Sequence, residues 1–303
     1  MIEILTNTKI DFMGKKLIAL ALSAILSIIG FIAVFYIATG AANLSIDFAG
    51  GTAVQIKFNE KVPLKDVRET LNQGGLKDFD LQELPAEKKV LIRSKKSEMT
   101  LGNQSRQIIS ILTSKYTEKN IVVDSMTEIG PKVGSKLRDD AMWAVIAAIC
   151  GILIYITVRF QFRFGVGAAI ATFHDVLALL SIFFLLGKEI NLIFISALLM
   201  IAGYSLTDTV VVYDRIRENL RSNYKMSASD IINLSLNEVL SRTIIVSLTT
   251  FFAAFALYVW GGEVIHDFAL AIMLGIAIGT YSSIFVASPV VLMMGDEKSL
   301  RKK

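Results

Sequence analysis

One cysteine in 303 residues, Cys150, rules out an intramolecular disulfide, and no second Cys exists to build a thiolate metal site. Charge is scarce as well. Asp, Glu, Lys and Arg make up 19% of the chain, against about 25% in an average soluble domain. Hydrophobic residues reach 53%, so the chain is short of the charge needed to wet its surface. The shortage is uneven: Lys, Glu and Asp are frequent between about 40 and 140, and long apolar blocks follow one another elsewhere. The polar stretch in turn has no His, no Cys and no glycine pattern suited to phosphate, which leaves it a mechanical or protein-binding role. No nucleophile–base pair and no metal-ligand set appears along the chain, so the reading is of a non-enzyme without cofactor or metal. The net charge of +4 does not point to nucleic acid, because the basic residues flank apolar blocks, where orientation in a membrane accounts for them.

What is there is long and apolar. A hydrocarbon core about 30 Å thick needs about 20 apolar residues in a helix. Six stretches qualify: Leu17 to about Thr39, Ala141 to Val158, Gly165 to Leu186, Leu192 to about Val212, Thr243 to Trp260, and Phe268 to Met294. The first is too long for the apolar region of a signal peptide and is expected to be an uncleaved anchor. Positive charge orients the set. Lys9, Lys15 and Lys16 precede the first span, and Arg159 and Arg163 fill the second connection. Arg215, Arg217, Arg221, Lys225 and Arg242 lie between the fourth and fifth spans, and Lys298, Arg301, Lys302 and Lys303 end the chain. The opposite connections, 187–191 and 261–267, carry one basic residue, Lys188. That asymmetry predicts a multi-pass protein with both termini cytoplasmic and residues 40–140 extracytoplasmic. The expected divisions are 1–39 (N-terminus and first span), 40–140 (outer domain), 141–294 (spans two to six) and 295–303 (basic tail). Trp143, Tyr258 and Trp260 fit an outer aromatic belt.

Within the outer domain, Gly51–Phe58 alternates as a strand does, with Val54, Ile56 and Phe58 on one face. Leu64, Val67 and Leu71 recur at helical spacing up to the Gly74-Gly75 stop. Strands are predicted at Asp78–Leu84 and Val90–Ser94, around a Pro85-Ala86-Glu87 turn. A second helix is predicted from Leu101 to Tyr116, and a last strand from Ile121 to Ile129. The order β-α-β-β-α-β predicts a ferredoxin-like α+β domain attached to an α-helical membrane bundle.

Ionisable groups inside a bilayer are costly and are functional candidates by default. Asp208 lies in the fourth span, roughly 9 Å to the cytoplasmic side of its midpoint at 1.5 Å per residue. Burial favours a neutral carboxyl and a nearby cation favours the charged one, so a carboxyl balanced between them exchanges protons. Arg242, or Arg215 seven residues on, is the candidate cation, and Ser205 lies one turn away. The blander role for Asp208 is to hydrogen-bond neighbouring hydroxyls and hold helices together. His174 and Asp175 sit near the centre of the third span, either as a polar relay with Ser205 or as a structural pair. Asp214 and Arg215, with Arg217 and Glu218, read as a solvated charge cluster at the interface, and His266-Asp267 as a wet helix start. Ala271, Gly275, Gly279, Ser283 and Ala287 form a stripe of small residues that lets another helix approach closely.

Several ordered motifs carry a resemblance. Asp47-Phe48-Ala49-Gly50-Gly51-Thr52 follows the first span, and Glu128-Ile129-Gly130-Pro131-Lys132-Val133-Gly134 leads into the second. Val158-Arg159-Phe160 with Phe162-Arg163-Phe164, His174-Asp175, the run Gly203 to Asn219 and Ser241-Arg242-Thr243 follow in order. In these the chain resembles the SecF branch of the SecD/SecF family, related to the RND transporters, over nearly its whole length. Ser45 departs from the pattern, standing where a glycine is common. The resemblance implies an accessory subunit of the Sec machinery in the bacterial inner membrane. Its partners would be SecD on a separate chain, the SecYEG translocon with other accessory membrane subunits, and the exported preprotein. It implies use of the proton gradient late in translocation, with Asp208 as the intramembrane carboxylate, Arg242 as its arginine, and a further carboxylate supplied by SecD. Two other functions compete: a non-transporting scaffold of the translocon, and half of an RND-type small-molecule efflux transporter.

Overall fold

The computed structural model describes residues 8–84, 88–95, 103–116, 120–160, 162–223 and 225–294. The expected turn at 85–87, Leu101 and the basic tail lie outside them. The described residues fall into two compact units: Asn43–Met142 with Glu189–Leu192, and the remainder.

The first unit is the α+β domain. It opens with a short helix α2 (Ile46–Ala49), following the first long helix α1 (Lys16–Ala38), and continues β1 (Gly51–Phe58), α3 (Leu64–Gln73), β2 (Phe79–Leu84), β3 (Lys89–Lys95), α4 (Asn103–Tyr116) and β4 (Ile121–Ile129). The four strands form one antiparallel sheet in the order β2-β3-β1-β4, which is the expected split arrangement. On β1 the buried positions Val54, Ile56 and Phe58 alternate with more exposed ones, as a strand with one covered face requires. Val54 pairs with Ile92 of β3 and with Met126 of β4. Val67 and Leu71 of α3, and Ile108 and Leu112 of α4, close the core over Val54, Ile56, Val90 and Ile92. The departure of Ser45 has a local reason: it is the N-cap of α2, its hydroxyl accepting the Asp47 N–H at 3.1 Å.

The second unit is helical. The remaining long helices are α5 (Pro131–Arg159), α6 (Phe162–Leu185), α7 (Leu192–Ser222), α8 (Ala228–Trp260) and α9 (Glu263–Ser282). A π-helical turn, Ser283–Ala287, follows α9 and leads into α10 (Ser288–Met293). Six helices among the described residues are long and apolar enough to cross a membrane. Several outrun the apolar stretches that announced them: α5 starts at Pro131 and α8 at Ala228, where Ser227 caps it by accepting the Asp230 N–H. Hydropathy marks the hydrocarbon layer, and a helix continues past it wherever capping and packing allow. The apolar windows of α6 and of the span Ile265–Met293, which runs from α9 through the π turn to α10, are 67% and 61% buried, against 11% for α5 and 17% for α8. So α6 and α9 form the centre of this unit, and α5 and α8 present apolar surface outward.

Pro289 accounts for the π turn. It has no N–H to give the Phe285 carbonyl four residues back, so the regular ladder breaks there. Two carbonyls in the turn find side-chain donors instead: Ser288 Oγ donates to Ser283 O at 2.9 Å and Tyr213 Oη to Ala287 O at 3.2 Å.

The segment before α1 is tied to α8. Asn233 Oδ1 accepts the N–H groups of Phe12 and Met13, and Asn233 Nδ2 donates to Asp11 Oδ1 at 2.8 Å. The Gly14 N–H, first, and the Asn233 amide hold the Asp11 carboxyl below the usual carboxylate range. A depressed folded value stabilises the fold above the unfolded value, near 3.9, and the gain is lost as pH falls through the folded value. Asp11→Ala is therefore expected to lower the melting temperature at neutral pH and to have no effect at the acid limit, in melts at the two pH values.

Candidate functional site

Two of the sequence motifs meet in the α+β unit. Gly50 has φ 72° and ψ 162°, a conformation open essentially to glycine. A Cβ there would fall 2.8 Å from Pro131 Cα, and a Cβ on Gly134 would fall 2.8 Å from Gly50 N. Gly51 pairs with Ile129, and Pro131 opens α5 directly after Gly130. Asp47 accepts the N–H of Leu192, the first residue of α7, at 3.2 Å, and Ile190 bonds Asn43 and Ser45 through its backbone. Arg93 of β3 adds an ion pair with Glu189 at 2.6 Å. Residues 43–51, 129–134 and 189–192 thus form one neck, and the two glycine-bearing motifs are its contacting surfaces.

The ionisable groups of the bundle gather in the helical unit. Asp208 is half-buried on α7. Its Oδ1 accepts from Thr243 Oγ1 of α8 at 2.8 Å, and its Oδ2 accepts from Ser283 Oγ, the first residue of the π turn, at 2.5 Å. A cavity of about 100 Å³ opens beside it, lined by Tyr204, Thr207, Val211, Arg242, Val246 and Ser247. Arg242 shares that cavity, though no ion pair within 4.0 Å joins it to Asp208 among the described residues. The other candidate cation, Arg215, is engaged elsewhere: its Nε meets Glu238 Oε2 at 2.7 Å and its Nη1 meets Glu218 Oε2 at 2.6 Å. Asn219 also donates to Glu238, at 2.6 Å, so this cluster knits α7 to α8, and Asp214 lies 4.0 Å from Arg217 beside it.

A second polar centre lies among α6, α7 and α9. Asp175 is 1% exposed. Its Oδ1 meets His174 Nδ1 at 3.1 Å, and its Oδ2 accepts from Ser205 Oγ at 2.5 Å and Ser282 Oγ at 2.9 Å. Neighbouring side chains on a helix need not meet; here His174 and Asp175 do. The close approach of α9 to α7 depends on the small-residue stripe, since a Cβ on Gly275 would meet Ile201 and one on Gly279 would meet Ser205. His266 and Asp267 lie apart from both centres, with Lys188 Nζ at 2.7 Å from Asp267.

Thr243, Ser282, Ser283 and Glu238 were not among the predicted site residues. Single hydroxyls in apolar helices carry little local signal. Ser283 was visible as a member of the small-residue stripe, where it read as a spacer and proves also to be a donor.

The chain matches known proteins along its length. The family described as protein export membrane protein SecD/SecF, C-terminal, matches residues 109–297. Protein translocase subunit SecF of Thermodesulfovibrio yellowstonii is 57% identical over 304 residues, covering 100% of both chains. Protein translocase subunit SecF of Calditerrivibrio nitroreducens is 41% identical, covering 100% of this chain and 99% of that one. The crystal structure of SecDF, a translocon-associated membrane protein from Thermus thermophilus, superposes with a TM-score of 0.81 at 34% identity. That match covers 95% of this chain and 39% of the SecDF chain.

Proposed function

From the premise that the chain belongs to the SecD/SecF family of protein export membrane proteins, we propose that it works with SecD to couple the proton gradient to late translocation of preproteins. It would do so at the SecYEG translocon in the inner membrane, with both termini cytoplasmic and the α+β domain outside. The charge asymmetry of the connections supports that orientation. The apolar surfaces of α5 and α8 suit packing against a partner in the membrane.

Asp208 is the observation that carries the reading. Its carboxyl is held by hydroxyls from two other helices and opens on a small cavity that Arg242 also lines. Hydroxyls both donate and accept, so they serve either protonation state of the carboxyl. Arg242 cannot lose its charge, so a permanent cation lines the same cavity as the carboxyl. Protonation would loosen the holds of Thr243 and Ser283 and change how α7 packs on α8 and α9. One proton crossing 100 mV releases about 2.3 kcal/mol, enough to bias a two-state packing severalfold to tens of fold.

Asp208→Asn is expected to abolish gradient-stimulated translocation into inverted vesicles while ATP-driven entry continues, with subunit levels matched to the parent. Normal stimulation in the variant would overturn the coupling role and leave a scaffold of the translocon.

A further inference from the structure

Ser282 and Ser283 are adjacent, yet each addresses a different carboxylate. Ser282 Oγ donates to Asp175 and Ser283 Oγ to Asp208. Neighbours on a helix point about 100° apart, and the break between α9 and the π turn falls between these two residues. On α7, Ser205 and Asp208 are likewise one turn apart, and Ser205 is the second hydroxyl on Asp175. Two carboxylates are thereby joined through one pair of hydroxyls and one helical turn.

Each hydroxyl also has somewhere else to turn. Ser282 Oγ lies 3.1 Å from Gly279 O, and Ser283 Oγ lies 3.1 Å from Thr280 O. An ionised carboxylate only accepts, whereas a protonated one must place an O–H. When a proton binds, the serine can swing its O–H to the carbonyl behind it and accept from the new carboxylic acid. The arrangement satisfies both states of both groups, which static glue between helices does not require.

His174 supplies the third part. It is 4% exposed, its Nδ1 is turned to Asp175, and its buried Nε2 has no hydrogen-bond partner among the described residues. With Nδ1–H donated to Asp175, Nε2 keeps a lone pair free to take a proton. Among the described residues, the titratable group facing the pair from the helices packed on it is Tyr281 of α9, with ring centroids 6.2 Å from His174. From α1 comes a hydroxyl, Ser23, which Tyr281 holds at 3.2 Å.

We propose that Asp175, with His174, is a second proton-exchange site of this chain, coupled to Asp208 through the adjacent hydroxyls of Ser282 and Ser283. The proposal deepens the coupling reading and rests on it. A proton taken up at Asp208 draws Ser283 from acceptor-seeking donor to acceptor, shifts the start of the π turn, and with it moves Ser282 on Asp175. Proton occupancy at one carboxyl then changes the hydrogen bonding of the other, without a direct contact between them.

The test uses the full chain in its membrane complex, as parent and as Asp175→Asn, Ser282→Ala, His174→Gln and Asp208→Asn, each read by pH-difference infrared spectroscopy and by gradient-stimulated translocation. Asp175→Asn and Asp208→Asn are expected each to remove a different carboxyl band and to shift the midpoint of the one that remains. Ser282→Ala keeps both carboxyls and is expected to keep both bands with altered midpoints, and in its background Asp208→Asn is expected no longer to shift the Asp175 band. His174→Gln retains hydrogen bonding without titration in this range, and is expected to lose gradient stimulation while the complex assembles. A parent-like carboxyl spectrum in Asp175→Asn overturns the second site. Should that variant fail to assemble, unchanged midpoints in Ser282→Ala overturn the coupling instead. If Asp208→Asn keeps full gradient stimulation, the underlying reading of Asp208 falls, whatever the Asp175 band does.

Discussion

Gly134→Val is expected to leave almost no folded protein in the membrane, and Gly134→Ala to fold with a melting temperature lowered by roughly 10 °C. The reason lies in what a side chain at 134 would meet. Its first carbon would stand 2.8 Å from Gly50 N, 3.1 Å from Phe48 O and 3.2 Å from Phe48 C. All three are backbone atoms, and that backbone is fixed. Gly50 N donates to Ile46 O at 2.9 Å, Gly51 is paired with Ile129, and Asp47 is committed to the Leu192 N–H. Gly50 cannot turn away, because its own conformation and its approach to Pro131 leave it no room. Forcing one extra carbon into a packed contact costs about 2 kcal/mol. In a domain of about 100 residues each kcal/mol moves the melting temperature by about 4–8 °C. Valine adds two more methyl groups and a stiff χ1 in the first turn of α5. Thermal melts of the purified protein and membrane levels of the variants check this, with the exposed neighbour Val133→Ala as the control. Parent-like levels of Gly134→Val would mean that the neck contact is dispensable.

The neck also shows what the sequence disclosed and what it withheld. Alternation at Val54, Ile56 and Phe58 and helical spacing at Val67 and Leu71 announced the elements of the α+β domain, because one face of each is buried and the period follows from that. The six apolar helices were equally plain, since spanning a hydrocarbon layer demands a long run. Contacts between distant segments left no such period. The Asp-Phe-Ala-Gly-Gly and Glu-Ile-Gly-Pro motifs were recognisable separately, and nothing local said that Gly50 lies against Gly134. The same holds in the bundle. Asp208 stood out because a carboxylate among valines is costly; Thr243 stood in a motif and Ser283 in the small-residue stripe, and nothing local marked either as a donor to it. Arg215 was a reasonable partner by helical phase, and Glu238, on the next helix, holds it instead. Helix ends were the least legible feature, because capping at Ser227 extends α8 far beyond its apolar stretch.

Gly275→Leu is expected to disperse the helical unit, with loss of both gradient-stimulated translocation and detergent stability. Inside a bilayer, helices gain little from leaving lipid, so their association depends on close van der Waals contact and interhelical hydrogen bonds. Gly275 provides the contact: a Cβ there would fall 2.5 Å from Ile201 Cγ1 and 2.8 Å from its Cγ2 and Cδ1. One turn along, Gly279 sits against Ser205, and one turn further Ser283 reaches Asp208. A leucine side chain would hold α9 away from α7 along that whole stripe. Asp175 would then lose Ser282 and Asp208 would lose Ser283, leaving buried carboxyls short of donors at about 1–3 kcal/mol or more each. The polar loss therefore adds to the packing loss. Gly275→Ala tests the packing account more finely, because the obstructing atoms belong to one side chain. Ile201→Ala removes all three of them, so Gly275→Ala with Ile201→Ala should recover stability that Gly275→Ala alone loses. Contacting residues commonly show coupling of about 0.5–3 kcal/mol in such a cycle, and additive effects of the two substitutions would mean that α9 does not seat on Ile201.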